Sequence, residues 1–257
     1  MRIAVANQKG GVGKTTTAIN LATAIASTGK TVLLLDVDAQ GNASTGLGID
    51  RRTRTVSIYD VIIGAATIAQ ATVPTSVPGL SIVPSTAALS GAEVELATLD
   101  RRNRRLADAI DIAPSFDFII MDCPPSLGLL TVNALTAAET VVVPLQCEFF
   151  ALEGLSQLLG TIERVRAGLN PQLRLLGIVL TMADRRNRLS EQVSADVRTV
   201  MGTQVFRTVI PRNVRLSEAP SHGLPALVYD YRCLGSQAYI DLAREVLARV
   251  SIGAGYG

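Results

Sequence analysis

The sequence predicts an α/β fold in which a doubly wound, mostly parallel sheet carries helices on both faces. Continuous apolar segments, typical of strands buried on both sides, alternate with helical segments along the 257 residues. A glycine-rich segment joins the first predicted strand to the first predicted helix, and two strands end in aspartates. Such repeated alternation indicates parallel strands joined by crossover helices.

The predicted elements follow one another with one irregular stretch, at 40–79. That stretch is either a connector without a role or a segment that moves with ligand state. We predict one domain over 1–250 and a flexible C-terminal tail at 251–257. The strands are predicted at 2–7, 31–37, 80–84, 117–122, 139–144 and 173–181, and the helices at 14–28, 86–97, 101–112, 127–137, 150–168, 190–201 and 234–249.

The glycine-rich segment has the pattern of a phosphate-binding loop. Residues 8–16 read Q-K-G-G-V-G-K-T-T, which fits G-x-x-x-x-G-K-[ST] except that Gln8 takes the first glycine position. Glycines let the backbone N–H groups point inward, and the helix N-terminus adds roughly half a positive charge. Lys14 is expected to contact the β- and γ-phosphates, and the Thr15 hydroxyl to bind Mg²⁺. The predicted nucleotide-binding residues of the loop are Gly10, Gly11, Val12, Gly13, Lys14, Thr15 and Thr16.

A second lysine in the loop needs a separate explanation. Lys9, Lys14 and Lys30 are the only lysines among 24 basic residues, and two of them lie here. Lys14 already fills the position that contacts phosphate within its own chain. Lys9 is therefore either a solvated loop lysine or a group that points outward to the phosphates of a second subunit docked face to face.

Two predicted strands end in carboxylates. Asp36 and Asp38 end the second strand, and Asp122 ends the fourth. In an open parallel sheet ligands bind beyond the carboxyl ends of the strands, so these side chains should face the loop. With Thr15, Asp38 and Asp122 are the candidate magnesium ligands; we assign Asp122 to the metal and Asp38 to an attacking water. Asp36 supports either the metal or the loop, and the alternative for all three is simple capping of the following turns.

Several further segments carry a family resemblance. Residues 36–42 read D-V-D-A-Q-G-N and residues 122–128 read D-C-P-P-S-L-G. Together with 9–15 and the blocks at 144–154 and 210–221, they resemble the ParA/Soj family of partition ATPases, within the group that includes MinD. The resemblance runs from about residue 2 to 250. Ala39 departs from it, because the family usually has proline there.

The resemblance implies a weak ATPase whose two subunits enclose ATP in a sandwich dimer. Lys9 would reach the phosphates of the other subunit, Asp38 would position the hydrolytic water, and Asp122 would support Mg²⁺. Met182 and Pro211 would border the adenine. The residues implied at the dimer face are Lys9, Gly11, Gln146 and Glu148.

Composition excludes several other classes of protein. The chain is 48% hydrophobic but only 4% aromatic, which argues against a binder that stacks single-stranded bases. His222 is the only histidine, so histidine catalysis and zinc sites are not expected. The first strand starts at Arg2, no apolar run reaches the ~20 residues of a membrane span, and the three cysteines are scattered. We therefore expect a cytoplasmic protein without a membrane anchor.

DNA contacts are expected from local arginine clusters rather than from overall charge. The net charge is only +2 and the pI about 8.5. Arginines cluster at 51–54, 101–105, 185–188 and 212–215. The first two clusters are either solvated faces or DNA contacts. Regions of the ParA family that match the last two grip DNA without reading its sequence, so Arg186 and Arg215 are the candidate DNA-binding residues.

These expectations combine into an ATP-dependent DNA partition protein. ATP would drive a homodimer that binds double-stranded DNA of the nucleoid, and hydrolysis, stimulated by a ParB-like centromere-binding partner, would release it. One alternative is a membrane-surface positioning ATPase like MinD, which needs a basic amphipathic C-terminal helix. Another is a metallocluster protein like the nitrogenase iron protein, for which Cys123 and Cys147 would be the candidate ligands.

Overall fold

The computed structural model describes residues 1–148, 150–184 and 187–253. Within these residues eight strands form one sheet, and every neighbouring pair is parallel except the short pair at one edge. The strands are β1 (Arg2–Val5), β2 (Val32–Asp36), β3 (Val73–Pro74), β4 (Leu80–Val83), β5 (Phe118–Asp122), β6 (Thr140–Gln146), β7 (Arg174–Ala183) and β8 (Val205–Pro211). Their order is β3-β4-β2-β5-β1-β6-β7-β8, with β3 antiparallel to β4.

Helices connect the strands as the alternation predicts, together with short 3₁₀ turns. The helices are α1 (Lys14–Ala26), α2 (Asn42–Gly46), α3 (Ile58–Ile63), α4 (Ile68–Ala71), α5 (Leu89–Leu96), α6 (Arg105–Asp111), α7 (Leu129–Ala137), α8 (Ala151–Gly168), α9 (Arg188–Met201), α10 (Val214–Glu218), α11 (Ala226–Tyr229) and α12 (Leu234–Gly253). The 3₁₀ turns are Arg51–Thr53, Gly202–Gln204 and Ala219–His222.

The central strands are buried on both faces. All five residues of β2 are buried, and all five of β5. Successive side chains of β2 alternate between two apolar clusters, with Leu33 and Leu35 in one and Val32 and Leu34 in the other. This alternation confirms the prediction of a sheet covered on both faces.

The sequence-based assignment misses two strands at the edges of the sheet. β8 pairs only with β7, and its Arg207 is exposed, so the segment lacks the continuous apolar run of a central strand. β3 has only two residues and includes Pro74. Edge strands tolerate polar residues and proline because one side makes no ladder hydrogen bonds, which weakens their signal in the sequence.

The last helix differs from the prediction at its end. α12 continues to Gly253, so the predicted domain boundary at 250 falls inside a helix, and residues 254–257 lie outside the described part. Its Tyr239, Leu242 and Val246 are buried, and the helix packs on α1 and β8. A MinD-like membrane helix would need that apolar side free. In the described ranges, moreover, no helix is both long and apolar enough to span a bilayer.

The irregular stretch at 40–79 is a set of short helices held by one buried arginine. Arg54 is 7% exposed. Its Nη1 donates to the Ser85 carbonyl at 3.1 Å, and its Nη2 donates to the Thr45 hydroxyl and the Ile49 carbonyl, both at 2.8 Å. Arg54 belongs to the first arginine cluster, and its hydrogen bonds link the segment after β2 to the end of β4.

Candidate nucleotide-binding site

The glycine-rich loop joins β1 to α1 in a backbone conformation that requires glycine. Gly11 has φ 76° and Gly13 has φ 87°, both in the left-handed region. Gly13 is the N-cap of α1 and has no side chain that could satisfy the first N–H groups of the helix. Those donors and the positive end of the helix are therefore available to an anion.

Two polar side chains, one just after β1 and one in β7, fix the loop. The Asn7 amide donates from Nδ2 to the Pro144 carbonyl of β6 at 2.7 Å, and its Oδ1 accepts from the Lys9 N–H at 3.1 Å. On the other side, the buried Thr181 hydroxyl of β7 donates to the Val12 carbonyl at 2.8 Å. Sequence reasoning missed both residues, although each is a polar side chain at the end of an apolar strand.

Lys14 lies at the centre of the site. It is 6% exposed, and its Nζ donates to the Lys9 carbonyl at 2.9 Å. Burial lowers the pKa of Lys14, while Asp122, Cys123 and Asp38 act in the opposite direction. Both Asp122 and Asp38 are thus close enough to act on this ammonium, as the strand-end argument requires.

Asp122 is a fully buried carboxylate without a hydrogen-bond donor. By distance and angle neither oxygen accepts a hydrogen bond from any residue that the structure describes, although the Thr15 hydroxyl lies close enough to favour the charged form. Its pKa is raised well above the usual range by burial and then by Asp36, its neighbour in the strand register, while Thr15 and Lys14 lower it. An orphaned buried carboxylate calls for a ligand. The oxygens of Asp122 and Thr15 are the donors that Mg²⁺ prefers, so these residues fit the predicted metal.

The two aspartates of the second strand have different environments. Asp36 is buried and accepts from the Ser44 N–H at 2.8 Å and the Ser44 hydroxyl at 2.6 Å, so it holds α2 rather than the glycine-rich loop. Burial raises the pKa of Asp36 to about 6. Asp38 is partly exposed, and its Oδ1 accepts from the Gln40 N–H at 3.0 Å. Within the described ranges no group donates to its Oδ2, so Asp38 can bind a further donor.

Lys9 pairs with an acid of its own chain. Its ammonium contacts the Glu148 carboxylate, which follows β6 closely, and the two side chains are 44% and 43% exposed. Gln146 is the last residue of β6. The Lys9 ammonium therefore contacts Glu148, while the buried Lys14 ammonium contacts the loop backbone.

Met182 and Pro211 lie on the β7 side of the loop. Met182 is the last residue but one of β7 and has φ 52°, and its Cε lies 3.8 Å from the position that a Cβ on Gly13 would take. Pro211 is paired with Ala183 in the strand register and borders a cavity of about 640 Å³. Both residues therefore lie at the carboxyl edge of the sheet, and Met182 also adjoins the loop.

Comparison with known proteins places the chain in a family. The AAA domain profile matches residues 1–175. The chain is 60% identical to the chromosome partitioning protein ParA of Caulobacter vibrioides, covering 96% of this chain and 94% of that protein. It is 51% identical to the sporulation initiation inhibitor protein Soj of Bacillus subtilis, with coverage of 96% and 98%.

The chain belongs to the ParA/Soj family of chromosome-partitioning ATPases. The crystal structure of cobyrinic acid a,c-diamide synthase from Mycobacterium smegmatis, with a bound ATP analogue and magnesium, has the same fold. Its TM-score is 0.86 at 38% identity, covering 98% of this chain and 96% of that chain. The family resemblance and the P-loop NTPase fold predicted from sequence are both confirmed.

The ParA/Soj resemblance indicates two candidate DNA-binding arginines, Arg186 and Arg215. Arg186 lies outside the described residues. Arg215 is exposed, but its Nη1 contacts Glu218 Oε2 at 2.9 Å and its Nε lies 3.4 Å from Asp230 Oδ2. The hydrogen bond and charge of Glu218 raise the pKa of Arg215. DNA would have to compete with these two carboxylates.

The arginine cluster at 101–105 makes structural contacts. Arg105 donates from Nε and Nη2 to the carbonyls of Ile62 and Ile63 at the end of α3. Arg104 donates to the Leu169 carbonyl, and Arg101 forms an ion pair with Asp108 at 2.6 Å. Arg102 donates to the Ala97 carbonyl at 3.2 Å, so all four arginines of this cluster already have partners within the protein.

Proposed function

We propose that this chain is a Mg²⁺-dependent ATPase that hydrolyses ATP slowly and partitions DNA. The observation that carries the proposal is the orphaned Asp122 carboxylate beside the buried ammonium of Lys14, at the end of an anchored glycine loop. A buried acid without a donor, next to a lysine and free helix N–H groups, suits a metal–triphosphate complex. A role in capping the following turn does not explain Asp122, because its carboxylate accepts no backbone hydrogen bond.

Each residue of the site then has a separate role. Thr15, Asp38 and Asp122 would hold magnesium, which neutralises charge on the β- and γ-phosphates. Lys14 and the N–H groups of 10–16 bind the phosphate oxygens. The free oxygen of Asp38 accepts a hydrogen bond from water and orients it toward the γ-phosphorus, so that water attacks as ADP leaves. Met182 and Pro211 border the adenine.

Hydrolysis by one chain alone is expected to be slow. None of the arginines that the structure describes forms a hydrogen bond or an ion pair with residues 8–16. An arginine that stabilises the leaving charge accounts for a large part of catalysis in related enzymes. We propose that a ParB-like centromere-binding partner supplies the missing basic group.

We further propose that ATP joins two chains through Lys9. In the single chain Glu148 holds the Lys9 ammonium. Lys9 would exchange this half-exposed carboxylate for the phosphates bound to the second chain, whose charge is larger. Glu148 and Gln146 would then lie at the dimer face. Half-exposed ion pairs contribute little, about 1 kcal/mol or less, so this exchange costs little.

Gly11→Val is expected to prevent the ATP-dependent dimer. Gly11 is exposed, and a Cβ there meets nothing within 4 Å in the single chain, so the monomer has space for the valine side chain, although φ 76° strains its backbone. Across a tight interface the same side chain would overpack, at about 1–3 kcal/mol for each copy. A symmetric dimer carries the change twice. Light scattering with ATP, in an Asp38→Ala background that slows turnover, measures the dimer.

Gly29→Val is the matched control for this variant. Gly29 has φ 84° and open space at its Cβ position, so it carries the same backbone strain at the far end of α1. The control should dimerise normally. Normal dimers of Gly11→Val would refute the face-to-face geometry, and failure of both variants would assign the effect to backbone strain.

DNA binding is proposed to depend on this dimer. One chain offers few phosphate contacts, and a dimer doubles them on one surface. Each neutralised phosphate changes the log–log salt slope by about −0.9, so doubling the contacts turns weak binding into useful affinity. The protein would then associate with the nucleoid in the cytoplasm. Binding to a random duplex, measured with ATP, ADP and no nucleotide across a salt series, tests this coupling.

Arg215→Ala is expected to weaken binding of the ATP-loaded protein to all duplex sequences alike. The loss of one phosphate contact per chain should reduce the salt slope by about 0.9 for each contact. Glu218→Gln should have the opposite effect, because it removes the carboxylate 2.9 Å from Arg215. Arg244→Ala, which removes an exposed arginine paired with Asp241 at 2.9 Å, is the control. Sequence-selective loss would indicate base contacts instead.

A further inference from the structure

A cavity of about 330 Å³ lies beside the loop that carries Asp38, and its lining suits an anion. Its residues are arginines, hydroxyl or amide side chains and two alanines, and no carboxylate lines it. Asp36 and Asp50 act electrostatically on Arg54, but neither borders the cavity. The polar lining residues are Gln40, Arg51, Arg54, Ser85, Thr86 and Ser90.

Ser85 gives the cavity a buried hydroxyl without a partner. The residue is fully buried, its N–H donates to the Ser44 hydroxyl at 3.0 Å, and its carbonyl accepts from Arg54. Its own Oγ has no hydrogen-bond partner among residues 1–148, 150–184 and 187–253. A buried hydroxyl left unpaired costs about 1–3 kcal/mol, and a ligand oxygen that accepts from it would remove this cost.

The start of α5 adds a second source of positive potential. Thr86 and Ala87, which precede this eight-residue helix, line the cavity. The N-cap residue is Ala88, so no side chain caps the helix, and its first turn contains no acid. The N–H groups of Leu89, Ser90 and Gly91 already donate to the carbonyls of Thr86, Ala87 and Ala88, so this end of the helix favours an anion through its dipole alone.

The two arginines contribute in different ways. Arg51 is exposed, and it forms neither a hydrogen bond nor an ion pair with any part of the chain that the structure describes. Arg54 already donates from Nε, Nη1 and Nη2 to protein oxygens, so it supplies charge rather than hydrogen bonds. Arg51 is the cation with free donors, suited to an oxyanion.

We propose that this cavity binds a phosphate-type oxyanion through the Ser85 hydroxyl, the Arg51 guanidinium and the start of α5. The site is separate from the glycine loop but adjoins the hydrolytic residue, because Ala39 and Gln40 of its lining follow Asp38 directly. Ser44 connects the cavity to the end of β2, because its hydroxyl donates to Asp36 and accepts from the Ser85 N–H. The occupant is either free phosphate or the terminal phosphoryl group of a small nucleotide.

The test is calorimetric titration of the full chain with inorganic phosphate after Mg²⁺–ADP has saturated the glycine loop. We expect one further phosphate site. Ser85→Ala and Arg51→Ala should each weaken it about tenfold, the size of one hydrogen bond to a charged group. Ser85→Ala removes a hydroxyl that bonds to nothing, so it should fold normally. Arg52→Ala, in the same 3₁₀ turn but outside the cavity lining, is the matched control.

The outcomes separate the sources and the two sites. If a second molecule of ADP binds per chain and this binding is lost in Ser85→Ala, the site takes the phosphoryl group of a nucleotide. If phosphate binds but no second ADP does, the site takes free phosphate. Lys14→Ala disables the glycine loop, but the phosphate site in the cavity should persist in this variant. The cavity proposal can therefore hold even if the ATPase proposal fails. The proposal is overturned if no phosphate binds beyond the loop, or if Arg52→Ala weakens binding as much as Arg51→Ala.

Discussion

Lys14→Ala should abolish ATP binding. Lys14 is the buried cation of the glycine loop, 6% exposed, and the charges of Asp122 and Asp38 act on it. Truncating one partner of a buried charge pair costs about 2–5 kcal/mol, which is a loss of roughly thirtyfold or more in affinity. The variant should also lose the increase in melting temperature that bound nucleotide gives the wild type. Calorimetry and thermal unfolding measure the two effects.

Two further variants make this result specific to Lys14. Lys30→Ala removes an exposed lysine beyond the end of α1, paired with Asp117 at 3.6 Å, and should bind ATP normally. Lys14→Arg keeps the charge, but a planar guanidinium does not replace a compact ammonium in a closed loop. We expect Lys14→Arg to remain defective. Unchanged nucleotide affinity in Lys14→Ala would refute the assignment of the loop.

The parts of the site that sequence reasoning predicted are those fixed by local pattern. The glycine loop, the buried strands and the aspartates at the strand ends depend on neighbouring residues and on the parallel sheet. The structure brings Asp38, Asp122 and Lys14 together as expected. The sheet order makes this proximity inevitable, because β5 lies between β1 and β2.

The contacts that sequence reasoning did not predict join residues far apart in the chain. Thr181 bonds to Val12, 169 positions away, and Lys9 pairs with Glu148, 139 positions away. Such pairs depend on how the loops after β6 and β7 pack, and hydrophobic periodicity carries no information on that packing. Arg54 illustrates the same limit. In the sequence it is one of several clustered arginines, but the fold buries it among carbonyls.

The sequence pattern leaves two roles open for Asp36, which are to support the metal or to support the loop. In the sequence Asp36 and Asp38 are equivalent acids at the end of one strand. The structure separates them, because Asp36 accepts two hydrogen bonds from Ser44 while Asp38 keeps an oxygen without a donor from the described residues. The difference arises because β2 ends at Asp36, which α2 covers through Ser44, whereas Asp38 lies two residues beyond the strand.

Asp38→Ala should keep ATP bound while turnover falls about a hundredfold or more, the usual effect of losing a group that acts on the proton of the nucleophile. Thr15 and Asp122 remain to hold magnesium, and Asp38 forms no hydrogen bond with the phosphate-binding lysine, so the affinity for ATP should change little. Single-turnover hydrolysis separates the two quantities. If the dimer proposal holds, the variant should also stay on DNA after ATP addition, because release requires hydrolysis.

Asp38→Asn distinguishes chemistry from loop structure. Asp38 Oδ1 accepts from the Gln40 N–H at 3.0 Å, and an asparagine oxygen can accept the same bond, so the turn survives. Asparagine lacks the charge that polarises water. If Asp38 orients the nucleophile, Asp38→Asn should hydrolyse ATP as poorly as Asp38→Ala. If it only shapes the turn, Asp38→Asn should turn over like the wild type, and the nucleophile would have to be oriented by another group at the ends of β2 and β5.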